Sequence, residues 1–214
     1  MWTSRTGVMM DAAKLTPLGV MVLALLREGD MHPYEMMRLL RHRRDDRLVR
    51  IQNGTFYHTI ARLERDGLLA EVGVDRDGNR PERTTYRLAD PGGDLVAEWV
   101  RRELPRIDRP LEFRIALAEA HNLDRVEVGE LLATRRGLLA DHLDELRDDL
   151  AGAATRSVPG QFLVEVQRES ALLAADLIWL DALLAALADG SLPWGIDEVA
   201  PDPYLRLLRE NREQ

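Results

Sequence analysis

The sequence predicts a mainly α-helical protein, in which a unit of three helices and a small β-hairpin precedes a longer helical region. Three observations support this fold class. Leu, Ala, Arg and Glu are abundant while aromatic residues make up only 5% of the chain, a composition that favours helix. A stretch near residue 80 joins β-forming residues to a strong turn signal. Two apolar stripes with coiled-coil-like spacing lie in the second half.

Matching start signals predict the first two helices. Thr16 is placed to cap the first helix, and Pro17 follows at its first position, where the missing N–H costs nothing. The same arrangement recurs at His32 and Pro33, with Glu35 in the first turn, where the helix dipole favours an anion. The apolar stripe of the second helix is predicted at Tyr34, Met37 and Leu40.

A third helix is predicted between Asn53, a good N-cap residue, and Gly67, which can take the left-handed conformation that closes a helix. An i, i+4, i+7 spacing places its core residues on one face: Phe56, Ile60 and Leu63. The other positions, Thr59 among them, carry mostly hydroxyl, imidazole, phenol and guanidinium groups. This polar side suits a reading surface.

A β-hairpin with a basic tip is predicted next. Residues 68–74 are rich in β-formers, residues 75–81 carry the turn signal, and residues 83–88 form the return strand. The tip carries Arg76, Arg80 and Arg83. Three helices and a hairpin within about 75 residues is the order of a winged helix-turn-helix, whose third helix enters the major groove of DNA while the wing touches the backbone or minor groove.

The second half is predicted to be helical throughout. A fourth helix covers residues 90–104, residues 111–121 look helical, and Asp124 is placed to cap the next helix. One apolar seam contains Leu132, Leu139, Leu143, Leu146 and Leu150, and the other contains Phe162, Val166, Leu173, Leu177, Leu180, Leu184 and Leu187. Two such helices joined by a loop at residues 155–160 predict an antiparallel hairpin, which usually needs a partner surface. Residues 204–211 are expected to add a last helical turn or two.

The charge is unevenly divided along the chain. The net charge is −8, but residues 1–90 hold 15 Arg and Lys against 13 Asp and Glu, whereas residues 91–214 hold 14 against 24. The most basic window, residues 38–50, contains six arginines and two aspartates. This asymmetry indicates that the first half meets a polyanion and the acidic second half does not.

Several classes of protein are disfavoured. There is no cysteine, which excludes disulfides and thiolate chemistry and fits a reducing cytoplasm. No secretory signal is visible in residues 1–14. The apolar run 171–188 contains Asp176 and Asp181, so a buried helix of a soluble protein is predicted rather than a membrane span. No phosphate-binding loop, dinucleotide fingerprint or nucleophile elbow is present, and the spacing of His121 and His142 fits no metal motif. Neither an enzyme nor a cofactor is therefore expected.

Residues 15–90 resemble the PadR family of transcriptional regulators in a set of matched pieces. The pieces are Leu-Thr-Pro-Leu-Gly (15–19), His-Pro-Tyr-Glu (32–35), Gly-Thr-Phe-Tyr (54–57), Arg-Leu-Glu-Arg-Asp-Gly-Leu (62–68) and Arg-Pro-Glu-Arg-Thr-Thr-Tyr-Arg-Leu (80–88). The resemblance implies a dimeric winged-helix repressor that dimerises through C-terminal helices, with a ligand site near the dimer interface in some members. Pro33 and His58 depart from the family, which often has Gly and Pro at these places, so operator sequence and inducer class are not carried over.

These observations predict three regions: a flexible arm (1–14), a DNA-binding winged helix-turn-helix (15–90) and a helical dimerisation region with a possible effector site (91–214). The predicted DNA contacts are Asn53, Thr55, Tyr57, His58, Arg62, Arg80 and Arg83. A small-molecule effector pocket is predicted at Trp99, Phe113 and Trp179. The alternative is that these three aromatic residues are ordinary core residues that bind no ligand. The predicted function is a homodimeric repressor of a palindromic operator. The alternative is a winged-helix protein-interaction adaptor without DNA specificity.

Overall fold

The structure is a computed structural model that describes residues 12–75 and 83–195, together with Pro203 and Arg206. The described residues form two compact units. The first contains the described residues up to Val100, together with Arg114–Glu119, Pro203 and Arg206, and the second contains Arg101–Phe113 and the described residues from Ala120 to Gly195. Residues 1–11 of the predicted arm lie outside the described residues, as does most of the predicted last helix. Ala12–Lys14 forms a 3₁₀ turn in which Ala12 is fully buried.

Three helices form the body of the first unit: α1 (Pro17–Arg27), α2 (Pro33–His42) and α3 (Asn53–Arg65). The predicted cap of α1 is confirmed, because the Thr16 hydroxyl accepts a hydrogen bond from the Gly19 N–H at 3.2 Å. In α2 the Glu35 carboxylate accepts from the His32 N–H at 2.8 Å, which ties the first turn to its cap residue. A 3₁₀ turn at Asp45–Arg47 separates α2 from α3.

The apolar stripe of α2 was predicted partly wrongly. Met36, Met37, Leu39 and Leu40 are buried, whereas Tyr34 is 58% exposed. Tyr34, the second residue of the helix, lies outside the arc that faces the core, because the buried residues are those between 36 and 40. The predicted end of α3 is confirmed, since Gly67 has φ +73° and the Leu68 N–H donates to the Leu63 carbonyl at 2.9 Å.

The predicted hairpin is confirmed as two antiparallel strands, β1 (Leu69–Asp75) and β2 (Arg83–Leu88). Leu69 pairs with Leu88 at the base, and a bulge interrupts the ladder between Glu71 and Gly73. The turn that joins the strands lies outside the described residues. At the base, Met31 pairs with Tyr86, so that β2 has a backbone partner on both sides at that point.

Four helices follow the hairpin: α4 (Asp90–Glu103), α5 (Pro110–Ala118), α6 (Arg125–Thr155) and α7 (Val164–Asp189). The Asp124 cap is confirmed, because its carboxylate accepts from the Glu127 N–H at 2.8 Å. Within the second unit α6 and α7 pack antiparallel. Arg135 faces Asp176 at 3.9 Å, and His142, seven residues later, contacts Glu169, seven residues earlier.

The prediction that α7 is a buried helix is wrong for the single chain. Of its side chains only Leu180 and Leu187 are buried, because α6 covers one side of the helix. Length and composition would suffice for α7 to cross a membrane, and it is the single helix of the described residues for which this holds. Asp181, in the middle of this apolar helix, pairs with Arg136 at 2.8 Å.

Candidate nucleic-acid interface

Helix α3 has a buried side and an exposed side. Phe56, Ile60 and Leu63 are at most 2% exposed, which confirms them as core residues. The outward side at the start of the helix carries four of the predicted contact residues, all exposed: Asn53, Thr55, Tyr57 and His58. Thr59, predicted on the polar side, is buried instead, where its hydroxyl donates to the Thr55 carbonyl at 2.8 Å. This internal bond allows a hydroxyl to lie against the core.

Asn53 does not cap α3 as predicted. Gln52 occupies the cap position and Asn53 is the first helical residue. Relieved of the capping role, the Asn53 side chain faces outward, and its oxygen accepts from the Arg41 guanidinium of α2 at 3.5 Å. Beside it, a Cβ added at Gly54 would meet no atom within 4 Å. The first turn of α3 is therefore open to a large partner.

Arg62 lies in a different environment from the other predicted contacts on α3. It is half-buried, and its Nη2 donates to the Thr16 hydroxyl at 3.0 Å. Its Nε is buried and has no hydrogen-bond partner among the described residues. Because Thr16 also caps α1, the guanidinium joins the middle of α3 to the start of α1. A structural role is thus visible for Arg62, and the predicted base contact stays a prediction.

Of the two predicted wing contacts, only the backbone of Arg83 belongs to the described part of the structure. Arg80 lies outside the described residues. Arg83 begins β2 opposite Asp75, and nothing is described of its side chain. The predicted wing contacts therefore remain predictions.

The basic window contributes an exposed surface next to α3. Five of its arginines are exposed, namely Arg38, Arg41, Arg44, Arg47 and Arg50. The sixth, Arg43, is half-buried in a two-point ion pair with Glu28, with N–O distances of 2.5 and 2.8 Å. Sequence reasoning missed Tyr34, which is exposed on α2 with the Arg38 guanidinium 5.8 Å from its ring centre. The i, i+4 spacing of an aromatic and an arginine was the available signal.

The aromatic residues predicted for an effector pocket lie in three different environments. Trp99 is 1% exposed, within the first unit. Phe113 and Trp179 belong to the second unit, where Phe113 is buried and Trp179 is 42% exposed. Arg135 lies over the Phe113 ring at 3.5 Å and donates to the Arg106 carbonyl. Burial lowers the pKa of the Arg135 guanidinium, a cost that the nearby Asp176 carboxylate partly offsets.

Two further polar clusters lie in the second unit. Glu103 is fully buried, and one of its oxygens accepts from Arg102 at 2.7 Å and from Arg109 at 3.2 Å. His142 lies between Glu169 and Glu145, and these carboxylates raise the pKa of its imidazole. Within residues 12–75 and 83–195 no group of three or more acidic, His or Cys side chains could hold a metal ion.

The profile of the transcriptional regulator PadR-like family matches residues 22–98. Bacillus subtilis PadR, solved in complex with operator DNA, is 18% identical and aligns over 80% of this chain and 99% of that one, with a TM-score of 0.39. A transcriptional regulator from Clostridium thermocellum is 30% identical over 37% of this chain and 75% of that one, with a TM-score of 0.33. No protein of curated function matches the chain.

The matched range runs from the middle of α1 into α4 and so contains α2, α3 and both strands of the wing. It also contains four of the five motif pieces found in the sequence, from His-Pro-Tyr-Glu onward. The chain belongs to the PadR-like family of transcriptional regulators through this winged helix.

Proposed function

We propose that this regulator is a homodimeric repressor that binds a palindromic DNA operator in the cytoplasm. The observation that carries the proposal is the exposed start of α3, which presents Asn53, Thr55, Tyr57 and His58 while its other side is anchored in the core. In helix-turn-helix proteins the first residues of the recognition helix contact base edges in the major groove. Asn pairs well with adenine, and Thr and Tyr hydroxyls commonly bind phosphates.

Arg62 has a supporting role in this proposal. Its bond to Thr16 fixes the angle between α3 and α1, so that the reading residues keep a constant position. Arg80 and Arg83 of the wing act as phosphate or minor-groove contacts, as the sequence predicts.

The exposed arginines of the basic window add phosphate contacts around α3. Arg41 lies nearest to the reading surface, because it bonds to Asn53. Each phosphate that an arginine neutralises releases counterions, so the affinity for DNA falls steeply as salt rises.

A second apolar stripe on α7, which we call the outer stripe, supports dimerisation. Exposed apolar residues follow one another at spacings of three, four and three: Leu172, Ala175, Trp179 and Ala182. This stripe is separate from the seam that faces α6, and its spacing is that of a helix-helix interface. A second copy of the chain covers it in our proposal. A two-fold dimer then places two α3 helices about 34–36 Å apart, in successive major grooves.

In this proposal a small-molecule effector relieves repression by weakening operator binding. Of the three predicted aromatic residues, Phe113 has a cationic group on its ring, Arg135, while Trp99 is enclosed in the first unit. A ligand that binds better to a dimer with a different α3 spacing lowers the affinity for DNA by shifting the population.

Selection of bound sequences from a random DNA pool tests the proposal. The expected product is a palindrome with half-sites about one helical turn apart. Fluorescence anisotropy on that product then measures His58→Ala, which we expect to weaken binding by about tenfold, the scale of a lost base contact. His121→Ala, an exposed histidine of the second unit, is the matched control and leaves affinity unchanged.

An adaptor gives the opposite result. Such a protein selects no sequence, shows no salt-dependent DNA affinity and forms a stable complex with another protein. A selected sequence that is bound equally well after His58→Ala and Tyr57→Ala removes α3 from the reading role.

A further inference from the structure

Residues 30–32, which we call the tether, lie between α1 and α2 and end at the cap residue of α2. Each of the three residues contacts the wing strand β2. Asp30 accepts two hydrogen bonds from the Arg87 guanidinium, at 3.0 and 2.6 Å. Met31 exchanges two backbone bonds with Tyr86, both of 3.1 Å. The tether therefore meets β2 in a single antiparallel bridge at Met31.

His32 completes the series and is 7% exposed. Its ring Nδ1 lies 2.9 Å from the Thr84 carbonyl oxygen, which can only accept, so Nδ1 carries the proton. The Thr85 hydroxyl lies 3.3 Å from Nδ1 and 3.4 Å from Nε2 of the same ring. The same residue caps α2 through its backbone. One histidine thus joins the start of α2 to the middle of the wing strand.

The wing has a second attachment at its base, to α3. The Tyr86 hydroxyl donates to the Glu64 carboxylate of α3 at 3.4 Å. Burial and the neighbouring Glu64 charge raise the pKa of the Tyr86 phenol, so this donor keeps its proton at neutral pH. The strand β2 is therefore attached both to the tether and to α3.

We propose that the tether, with His32 as its positioning residue, fixes the wing relative to α2 and α3 so that wing and recognition helix engage the same DNA together. This inference rests on the proposed function and adds a residue that touches no DNA. A wing that pivoted at its base would pay an ordering cost at each binding event, and preorganisation removes that cost.

The test compares two substitutions at one position. His32→Ser keeps a good capping residue but is too short to reach Thr84. His32→Asn places an amide N–H near the position of Nδ1 and is expected to restore the contact. Circular dichroism and thermal unfolding establish that both variants fold. If His32→Ser does not fold, Asp30→Asn replaces it as the test variant, because it weakens the exposed ion pair with Arg87.

Amide hydrogen exchange without DNA gives the first measurement. We expect faster exchange at the Met31 and Tyr86 amides in His32→Ser, and wild-type rates in His32→Asn. The Ala89 amide, bonded to the Leu68 carbonyl at 3.0 Å, is the internal control and keeps its rate. Unchanged protection of Met31 and Tyr86 in His32→Ser overturns the inference, whatever happens on DNA.

The affinity for the selected operator, measured over a range of salt, gives the second measurement. His32→Ser is expected to bind more weakly and with a shallower salt dependence, because fewer phosphates are contacted at once, and His32→Asn recovers both. Lost amide protection with unchanged affinity and salt dependence also overturns the inference. A wild-type protein that selects no DNA defeats the proposed function instead, and the exchange rates then decide the tether alone.

Discussion

The polar residues of the winged helix are of two kinds: some stabilise the fold through internal contacts, and others are exposed on its surface. Arg62 and Tyr57 are both polar residues of α3, yet the guanidinium is half-buried on Thr16 while the phenol is 48% exposed. The 3.6-residue period predicted the buried triad Phe56, Ile60 and Leu63 correctly. It could not separate Arg62 from the reading residues, because a long side chain that starts on the flank of a helix can turn inward to a partner far away in sequence.

Gly54 allows the reading surface to be tested without harm to the fold. A carboxylate in the first turn of a helix is favoured by the helix dipole, and a side chain at Gly54 meets open space. We therefore expect Gly54→Glu to leave the free energy of unfolding unchanged or raise it by up to about 1 kcal/mol. In the proposed complex the same carboxylate would face DNA phosphates, so we expect the affinity for the operator to be lost.

Denaturant unfolding and anisotropy measure the two effects separately. Gly129→Glu is the matched control, since it adds the same charge at an open helical glycine of α6. A Gly54→Glu protein that folds and binds the operator normally contradicts the proposed interface.

Elements pack as the sequence periods predicted, and the exceptions have physical causes. The seams of α6 and α7 face each other, with Leu132, Leu139 and Leu180 buried. Phe162 was wrongly predicted to begin the second seam, because it lies in a 3₁₀ turn before α7 and is 68% exposed. The second stripe of α7 was not distinguished from the seam, because both are apolar and periodicity alone does not say which surface covers which stripe. The hairpin was predictable because its turn signal and β-forming residues agree with each other.

The start of α4 packs tightly on the base of the wing at Gly92. A Cβ there would lie 2.8 Å from the Leu68 carbonyl oxygen and 2.7 Å from a Leu88 methyl group. We expect Gly92→Ala to lower the free energy of unfolding by about 1–3 kcal/mol, since a backbone oxygen cannot move aside as a flexible side chain does. Gly93→Ala, whose nearest neighbour lies at 3.7 Å, is the adjacent control in thermal unfolding. Equal effects of the two substitutions would show that the close approach is not rigid.

The hairpin of α6 and α7 carries a pH-dependent contact at His142. The hydrogen bond to Glu169 raises the pKa of this imidazole above its ordinary value of 6.5. Its stabilising contribution is therefore fully present below about pH 6.5 and is lost as the pH rises through the higher folded-state pKa. We expect the wild type to lose more stability over that interval than His142→Gln does. Unfolding at several pH values checks this, and an NMR titration in which the His142 pKa is not raised would refute it.

At the scale of the whole molecule, the two surfaces that we propose to bind partners belong to different units. The first unit exposes the start of α3 and the arginines of α2, and the second exposes the outer stripe of α7. The division of charge along the chain predicts that the first half, and not the second, meets a polyanion. The identity of the partners was not readable from charge alone, because a basic surface fits any polyanion and an apolar stripe fits many helices.

The outer stripe gives a prediction about assembly. We expect the wild type to sediment as a dimer and Trp179→Glu to shift it towards the monomer, because a carboxylate would be desolvated in the interface. Gln167→Glu, which adds the same charge at an exposed polar position of α7, leaves the dimer intact. Sedimentation velocity distinguishes them. A Trp179→Glu protein that remains dimeric at low concentration places the dimer contact elsewhere.

The edges of the small wing sheet influence whether two copies of the protein aggregate. Strand edges with unpaired backbone groups invite aggregation with neighbouring chains. Here Met31 occupies the far edge of β2, and among the described residues the edge of β1 is left without a strand. The bulge between Glu71 and Gly73 bends that edge, and Glu71 adds a charge to it. We expect these two features to lower the tendency of two wings to pair through their exposed edges into a shared sheet.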